Sequence, residues 1–243
     1  MTAAWHRIGM LIPSSNTSIE RDYPAWMPRS LSFHFARLTM TRLDADGMAE
    51  QLADLRRATT SLADAKVDAV LLCQTAASYW MGQAWDAQIR RDMQGWCGGA
   101  VALTAAQTVL DALAALGVTR VGFAAPFPQE IGQASLDYLA ACGIATVATQ
   151  FGGYRDNFAI AEMPAEEVIE LACGADHPDA QAVLMPGGNM PCLGVADAIE
   201  ARIGKPIITT NQAGMWTLLH QFGLPDPILG AGRLLRERPK PIR

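Results

Sequence analysis

The chain has 243 residues, of which 50% are hydrophobic and 18% are charged, and its formal net charge is −5. This composition supports a buried core and excludes intrinsic disorder. The basic residues are scattered, so we expect no nucleic-acid partner. No apolar run approaches the roughly 18 residues of a membrane span, so we expect no membrane association either. The start of the chain, MTAAWHRIGMLIP, lacks the pattern of a signal peptide.

The cysteines are odd in number and lack the spacing of metal ligands. A reduced, cytoplasmic protein without structural zinc or disulfides is therefore expected. The five residues are Cys73, Cys97, Cys142, Cys173 and Cys192.

Short apolar runs alternate with Ala/Leu-rich helical segments along the whole chain. The predicted strands are RIGMLIP (7–13), LSFHFARL (31–38), DAVLLC (68–73), AVALT (100–104), RVGFAAP (120–126), ATVATQ (145–150), AVLMP (182–186) and PIITT (206–210). Continuous apolar strands alternating with helices predict a parallel sheet that is covered on both faces.

The sequence also contains an internal repeat. RIGMLIP at 7–13 resembles RVGFAAP at 120–126, and AVLLCQ at 69–74 matches AVLMPG at 182–187, both at an offset of 113. The fold class is therefore predicted to be α/β, with two pseudo-symmetric, four-stranded parallel (Rossmann-like) halves. We assign residues 1–104 and 211–243 to the first half and 105–210 to the second.

Ligands of such sheets bind beyond the carboxyl ends of the strands, so the site is expected in the cleft between the halves. The repeat offset makes Gln74 and Gly187 equivalent positions on its two sides. Four predicted strand ends continue into small polar residues: Ser14-Ser15-Asn16-Thr17, Gln74-Thr75-Ala76-Ala77-Ser78, Gly187-Gly188-Asn189 and Thr209-Thr210-Asn211-Gln212.

Such loops bind small anions through side-chain donors and backbone N–H groups, although helix capping alone also explains them. Neither a P-loop nor a dinucleotide-binding glycine motif is present. A carboxylate fits these neutral donors better than a phosphate. Gly187 and Gly188 are expected to offer backbone N–H groups, and Asn189 a side-chain donor. Aromatic walls are expected from Trp80, Phe127 and Trp216.

Several segments resemble the maleate cis-trans isomerases. They are IGMLIPSSNTSIE, the strand-end loops, NQAGMW and the closing GAGRLL. More broadly, the chain resembles the aspartate/glutamate racemase superfamily, which includes arylmalonate decarboxylase. The resemblance implies two facing α/β halves, a homo-oligomer, and cofactor-free chemistry on small carboxylic or dicarboxylic acids.

The resemblance also implies catalytic cysteines, and here this sequence departs from the pattern. The usual first cysteine position is occupied by Gln74 and the second by Gly187, while a frequent tyrosine is replaced by Phe127. Cys73 lies one residue before the first position, where strand alternation predicts a side chain pointing away from the cleft. Cys192 lies five residues after the second, where a helix N-terminus would lower its pKa.

The catalytic candidates are therefore Gln74, Cys192 and Cys73. The predicted substrate-binding residues are Ser14, Ser15, Asn16, Thr75, Phe127, Gly187, Gly188, Asn189 and Asn211. The expected function is a cofactor-independent isomerase, decarboxylase or other lyase for a small acid, acting through a displaced thiol or through Gln74 and backbone amides. A carboxylate-binding protein without turnover remains the alternative, and a nucleotide-binding regulator is the least favoured.

Overall fold

The computed structural model describes residues 5–40 and 45–242. The first part of the chain contains β1 (His6–Pro13), α1 (Ile19–Trp26), β2 (Leu31–Leu38), α2 (Ala45–Ala53), α3 (Leu55–Asp64), β3 (Ala69–Leu72), α4 (Ala76–Met81), α5 (Gln83–Trp96) and β4 (Val101–Thr104). The second part contains α6 (Ala105–Ala115), β5 (Arg120–Ala125), α7 (Gln129–Ala141), β6 (Ala145–Phe151), α8 (Asn157–Ala161), α9 (Ala165–Gly174), β7 (Ala182–Met185), a 3-10 turn (Leu193–Val195), α10 (Ala196–Ile203), β8 (Ile207–Thr209), α11 (Thr210–Gln221) and α12 (Arg233–Glu237).

The strands form two parallel sheets of the same topology. Their orders are β2-β1-β3-β4 and β6-β5-β7-β8, and every pairing within them is parallel. The second order repeats the first, as the offset of 113 residues requires. The predicted fold class is confirmed, and each predicted strand ends within one residue of its observed bounds.

The main hydrophobic core lies between the two sheets. Ile8 and Leu71 of the first sheet share a buried cluster with Phe123 and Leu184 of the second, together with apolar residues of α6 and α11. Each of these two helices begins directly after a strand, and the last strand residue, Thr104 or Thr209, caps it through its hydroxyl group. Both sheets thus contribute to one core, and the division at residues 104/105 and 210/211 stays a prediction.

The GAGRLL segment docks the end of the chain onto the second sheet's helices. Gln212 Nε2 donates to Ala231 O at 2.8 Å, and both carboxylate oxygens of the buried Glu200 accept from Arg233 N. Gly232 has a φ of +84°, and a Cβ there would lie 2.4 Å from Gln212 Nε2. The close approach therefore requires glycine. In the described ranges, no helix has the length and apolar character needed to cross a membrane.

Candidate active site

A cavity of about 330 Å³ opens where β1, β3, β5 and β7 end. Its volume is at the lower end of the range for small-molecule sites. Most of its wall is apolar, from Met40, Trp80, Phe127, Ile131 and Ile160, among others. Polar groups come from loops of both halves, namely Asn16, Gln74, Thr75, Asn157, Gly187, Gly188 and Asn189. The predicted position between the halves therefore holds a cavity of suitable size for a small molecule.

Backbone N–H groups without acceptors surround this cavity. In residues 5–40 and 45–242, no oxygen accepts from the N–H groups of Gln74, Thr75, Phe127, Gly187 or Gly188. Gln74–Thr75 and Gly187–Gly188 are related by the internal repeat, so the two halves present equivalent backbone to one space. Such preorganised donors suit a carboxylate or an enolate oxygen.

Asn189 lies at the cavity, but its side chain is used to join loops of the two halves. Its Oδ1 accepts from Thr17 N at 2.9 Å and Ser18 N at 3.1 Å, while its Nδ2 donates to Asn157 O at 2.7 Å and Ser15 O at 3.5 Å. The residue is 3% exposed. Its side chain therefore has a loop-positioning function that the sequence did not indicate.

The other loop residues have similar supporting contacts. Ser14 and Ser15 do not line the cavity: Ser14 Oγ accepts from Met40 N at 3.0 Å, and Ser15 Oγ accepts from Asn157 Nδ2 at 2.9 Å. Asn211 also lies outside the lining and donates to Gly188 O at 3.1 Å. These three predicted residues hold the residues that do line the cavity.

Arg37, at the end of β2, anchors the first loop. Its guanidinium donates to Ser14 O at 2.8 Å and Asn16 O at 3.0 Å, and it forms an ion pair with Glu20. Asn16 Oδ1 accepts from Ile19 N at 3.0 Å, which leaves the Asn16 amide nitrogen for the cavity. Sequence reasoning missed Arg37 because its importance depends on β2 lying next to β1.

Cys73 and Gln74 both line the cavity. Cys73 is 3% exposed, and it packs in the main core with Ala69 and Leu71, in phase with the strand alternation that predicted a side chain pointing away from the cleft. The Cys73 thiol donates to Leu71 O at 3.2 Å, and burial raises the pKa of this thiol far above its ordinary value. The neutral form is therefore favoured, which makes Cys73 a poor nucleophile.

Cys192 is not brought to the cavity. It precedes the 3-10 turn and is buried in a second cluster with Met185, Met190 and residues of α9 and α10. The expected lowering of its pKa is wrong, because burial raises the pKa of Cys192, and the nearby Asp22 carboxylate raises it further. Trp216, expected as an aromatic wall, is 1% exposed in the main core and does not line the cavity.

Several polar residues at the cavity were not predicted from the sequence, among them Tyr79, Glu130, Arg155 and Asn157. Glu130 and Arg155 form an exposed ion pair at its rim. Tyr79 lines it as well. Burial raises the pKa of its hydroxyl, and the neighbouring Thr75 side chain partly opposes this rise. Arg155 lies in the loop GGYRDN after β6, which was not among the four loops selected from the sequence.

The fold is shared with known enzymes. A maleate cis-trans isomerase from Nocardia farcinica, solved with a covalently bound succinylcysteine intermediate, superposes with a TM-score of 0.91 at 27% identity, covering 96% of this chain and 99% of that one. A cysteine-to-alanine variant of the maleate isomerase Iso from Pseudomonas putida S16, solved with maleate, gives a TM-score of 0.90 at 25% identity over 95% and 97% of the two chains.

Sequence relatives agree with these structures. The maleate isomerase of Nocardia farcinica is 28% identical over 240 residues, covering 95% of this chain and 96% of the relative. The arylmalonate decarboxylase of Bordetella bronchiseptica is 25% identical over 221 residues, or 89% and 90% of the two chains.

A two-sheet α/β architecture with an inter-sheet cavity thus places the chain in a class of enzymes acting on small acids. The sequence profile of arylmalonate decarboxylase matches residues 8–235, and the chain belongs to the arylmalonate decarboxylase family. It is an isomerase or a lyase, and a binding protein without turnover is not favoured.

Proposed function

We propose that this protein is a cofactor-independent carbon–carbon lyase that decarboxylates a small malonate-type acid. The proposal rests on the cavity, which has backbone N–H groups without acceptors in the described residues on both of its sides. Neither repeat-related position carries a thiol, since they are occupied by Gln74 and Gly187. Decarboxylation needs stabilisation of a developing negative charge and does not need a nucleophile bonded to the substrate. These donors supply that stabilisation.

In the proposed reaction, the bond between the central carbon and one carboxylate breaks and carbon dioxide leaves. The electron pair of this bond moves into the remaining carboxylate, which becomes an enediolate. The N–H groups of Gln74 and Thr75 and those of Gly187 and Gly188 bind its oxygens. A proton derived from water then adds to the central carbon and completes the product.

The apolar wall selects the rest of the substrate. Trp80 and Phe127 face the cavity with Ile131 and Ile160, and an apolar substituent gains free energy by leaving water. Because Gly187 has no side chain, the second half leaves room for that substituent.

A maleate-type cis–trans isomerase is the second candidate, favoured by the relative that is 28% identical. A succinylcysteine intermediate was captured in the Nocardia farcinica isomerase. The corresponding reaction here would need Cys73, a residue of the cavity lining whose thiol is buried and hydrogen-bonded to Leu71 O. This requirement makes the isomerase reaction less well supported than decarboxylation.

Proton NMR in D2O tests the two candidates directly. Pure protein is incubated with maleate, fumarate, aspartate and a set of substituted malonates. Loss of carbon dioxide from a malonate, with deuterium at the central carbon of the product, is the expected result. Conversion of maleate to fumarate without any decarboxylation contradicts the lyase proposal and supports the isomerase.

Replacement of the Thr75 hydroxyl group tests whether this side chain adds a further donor to the backbone N–H groups. Thr75→Val keeps the volume and removes a hydroxyl at the cavity, so kcat/KM is expected to fall on the order of 100-fold, as for loss of one oxyanion donor. Thr210→Val is the matched control, because Thr210 is also buried, lies on α11 outside the cavity lining, and its hydroxyl has no partner in the described part of the chain. Equal activities of the two variants would exclude a role for the Thr75 hydroxyl group in stabilising the reaction.

We also propose, from the resemblance to the isomerases, a homo-oligomer located in the cytoplasm. The unpaired state of all five cysteines supports a reducing compartment. Light scattering coupled to size exclusion tests the oligomer, and a mass of about 26 kDa, that of one chain, would contradict it.

A further inference from the structure

Two buried glutamine side chains meet beside the cavity. Gln51, on α2, is 0% exposed, and Gln74 is 6% exposed. Gln74 Nε2 donates to Gln51 Oε1 at 2.6 Å. This single hydrogen bond leaves Gln74 Oε1 and Gln51 Nε2 buried without a partner among residues 5–40 and 45–242.

Such a pair is not explained by stability. Each buried polar atom without a partner costs more free energy than one neutral hydrogen bond returns. Two apolar side chains of similar volume would fill the same space without this cost. Unsatisfied buried groups in a folded protein therefore indicate a ligand, an ion or water that completes them.

The position of each amide indicates which one meets the ligand. Gln74 lines the cavity, whereas Gln51 does not. With Gln74 Nε2 assigned as the donor to Gln51 Oε1, the carbonyl oxygen is the part of the Gln74 amide that lacks a partner among the described residues. A carbonyl oxygen only accepts hydrogen bonds, so it requires an O–H or N–H group on the ligand.

We propose that Gln74 recognises a hydrogen-bond donor on the substrate and that Gln51 is the positioning residue that orients the Gln74 amide. This inference rests on the proposed lyase function and narrows its substrate class. The substrate is a malonate-type acid that carries a hydroxyl, amino or amide group on or next to its central carbon. Gly187 offers no side-chain acceptor on the opposite side, so this donor faces the loop after β3.

Two acids of similar size test the recognition. Hydroxymalonate carries a hydroxyl group on its central carbon, and methylmalonate carries a methyl group in its place. We expect wild-type protein to prefer hydroxymalonate on the order of tenfold or more, both in the Kd from calorimetry and in kcat/KM from NMR, because a site with a buried hydrogen-bonding group rejects an analogue that lacks the partner.

Three variants separate recognition from a structural effect. Gln74→Met removes the acceptor and is expected to abolish the preference. Gln51→Met releases the Gln74 amide and is expected to lower the preference, whereas Gln51→Glu keeps an acceptor for Gln74 Nε2 and is expected to retain more of it. Gln107→Met, on α6 and outside the cavity lining, is the control and leaves the ratio unchanged. If Gln51 had only a structural role, Gln51→Met would change kcat/KM and Kd by the same factor for both acids.

The outcomes distinguish this inference from the lyase proposal. Preferential binding of hydroxymalonate without decarboxylation supports the recognition and contradicts the lyase. Turnover of both acids with equal kcat/KM and equal Kd supports the lyase proposal and contradicts recognition of the substrate donor by Gln74. Failure of both acids to bind, or a preference that persists in Gln74→Met, also overturns it.

Discussion

The loop after β3 and the loop after β7 occupy the same place in the repeat and face the same cavity, but they differ in what they present. The first carries the Gln74 side chain, which is buried and paired with Gln51. The second carries Gly187, with a φ of +108° and no side chain. The two halves thus share backbone N–H donors, while side-chain recognition occurs on one side and free space lies on the other.

This comparison separates two functions of the site, namely binding of the carboxylate or enediolate oxygens and selection of the substrate. Binding of carboxylate or enediolate oxygens needs only the backbone that both loops share. Selection of the substrate needs asymmetry, which the Gln74 side chain and the bare Gly187 provide. Variants that alter one loop at a time therefore reveal which function depends on which loop.

The largest effect is expected at Asn189, which connects the second loop to the first. Asn189→Leu leaves the N–H groups of Thr17 and Ser18 without an acceptor and removes the donor to Asn157 O. At about 1–3 kcal/mol for each buried unsatisfied group, the free energy of unfolding should fall by roughly 3 kcal/mol, and turnover should be lost. Urea unfolding and the NMR assay measure the two effects.

Asn189→Asp tests the same prediction with a smaller chemical change. It keeps the Oδ1 acceptor for Thr17 and Ser18 and loses the donor to Asn157 O, so its loss of stability should lie between those of wild type and Asn189→Leu. Equal stability of all three proteins would contradict the bridging role.

An intermediate effect is expected at Gly187. Gly187→Ala forces an L-residue to adopt a φ of +108°, and the new Cβ lies 3.2 Å from Pro126 Cγ. Strain of this kind costs about 1–3 kcal/mol. Gly194→Ala is the matched control, because a Cβ there meets no atom within 4 Å, and its effect should stay within about 0.5 kcal/mol. A smaller loss for Gly187→Ala than for Gly194→Ala would refute the conformational argument.

The smallest effect concerns the buried thiols. Burial raises the pKa of Cys73 and of Cys192 in the folded protein, whereas thiols of the unfolded chain ionise near pH 8.5. The unfolded state therefore loses protons first, and the free energy of unfolding should decrease as the pH rises above about 8.5. Urea unfolding between pH 7 and 10 measures this slope, which should be shallower in the Cys73→Ala/Cys192→Ala double variant.

Much of the fold could be predicted because it depends on local sequence patterns. Apolar runs located the strands, and the repeat placed Gln74 and Gly187 on opposite sides of one cavity. The partners of the site could not be predicted in the same way. Gln51, Arg37 and Arg155 reach it from α2, β2 and the loop after β6, through contacts that exist only once the sheets are assembled.

The sequence was also ambiguous about individual polar side chains. Asn189 follows a strand and precedes a turn, a pattern that fits ligand binding and loop anchoring equally well. Its hydrogen bonds to Thr17 and Ser18 determine the choice.

Decarboxylation without a catalytic thiol is tested most directly by turnover of a Cys73→Ser/Cys192→Ala double variant. The substrate is the malonate that wild-type protein converts fastest, and proton NMR in D2O follows the reaction at neutral pH. The proposal predicts a kcat/KM within about threefold of wild type, a change of less than 1 kcal/mol in the activation free energy. A loss on the order of 100-fold or more in a variant with an unchanged melting temperature would contradict it and assign the chemistry to a thiol.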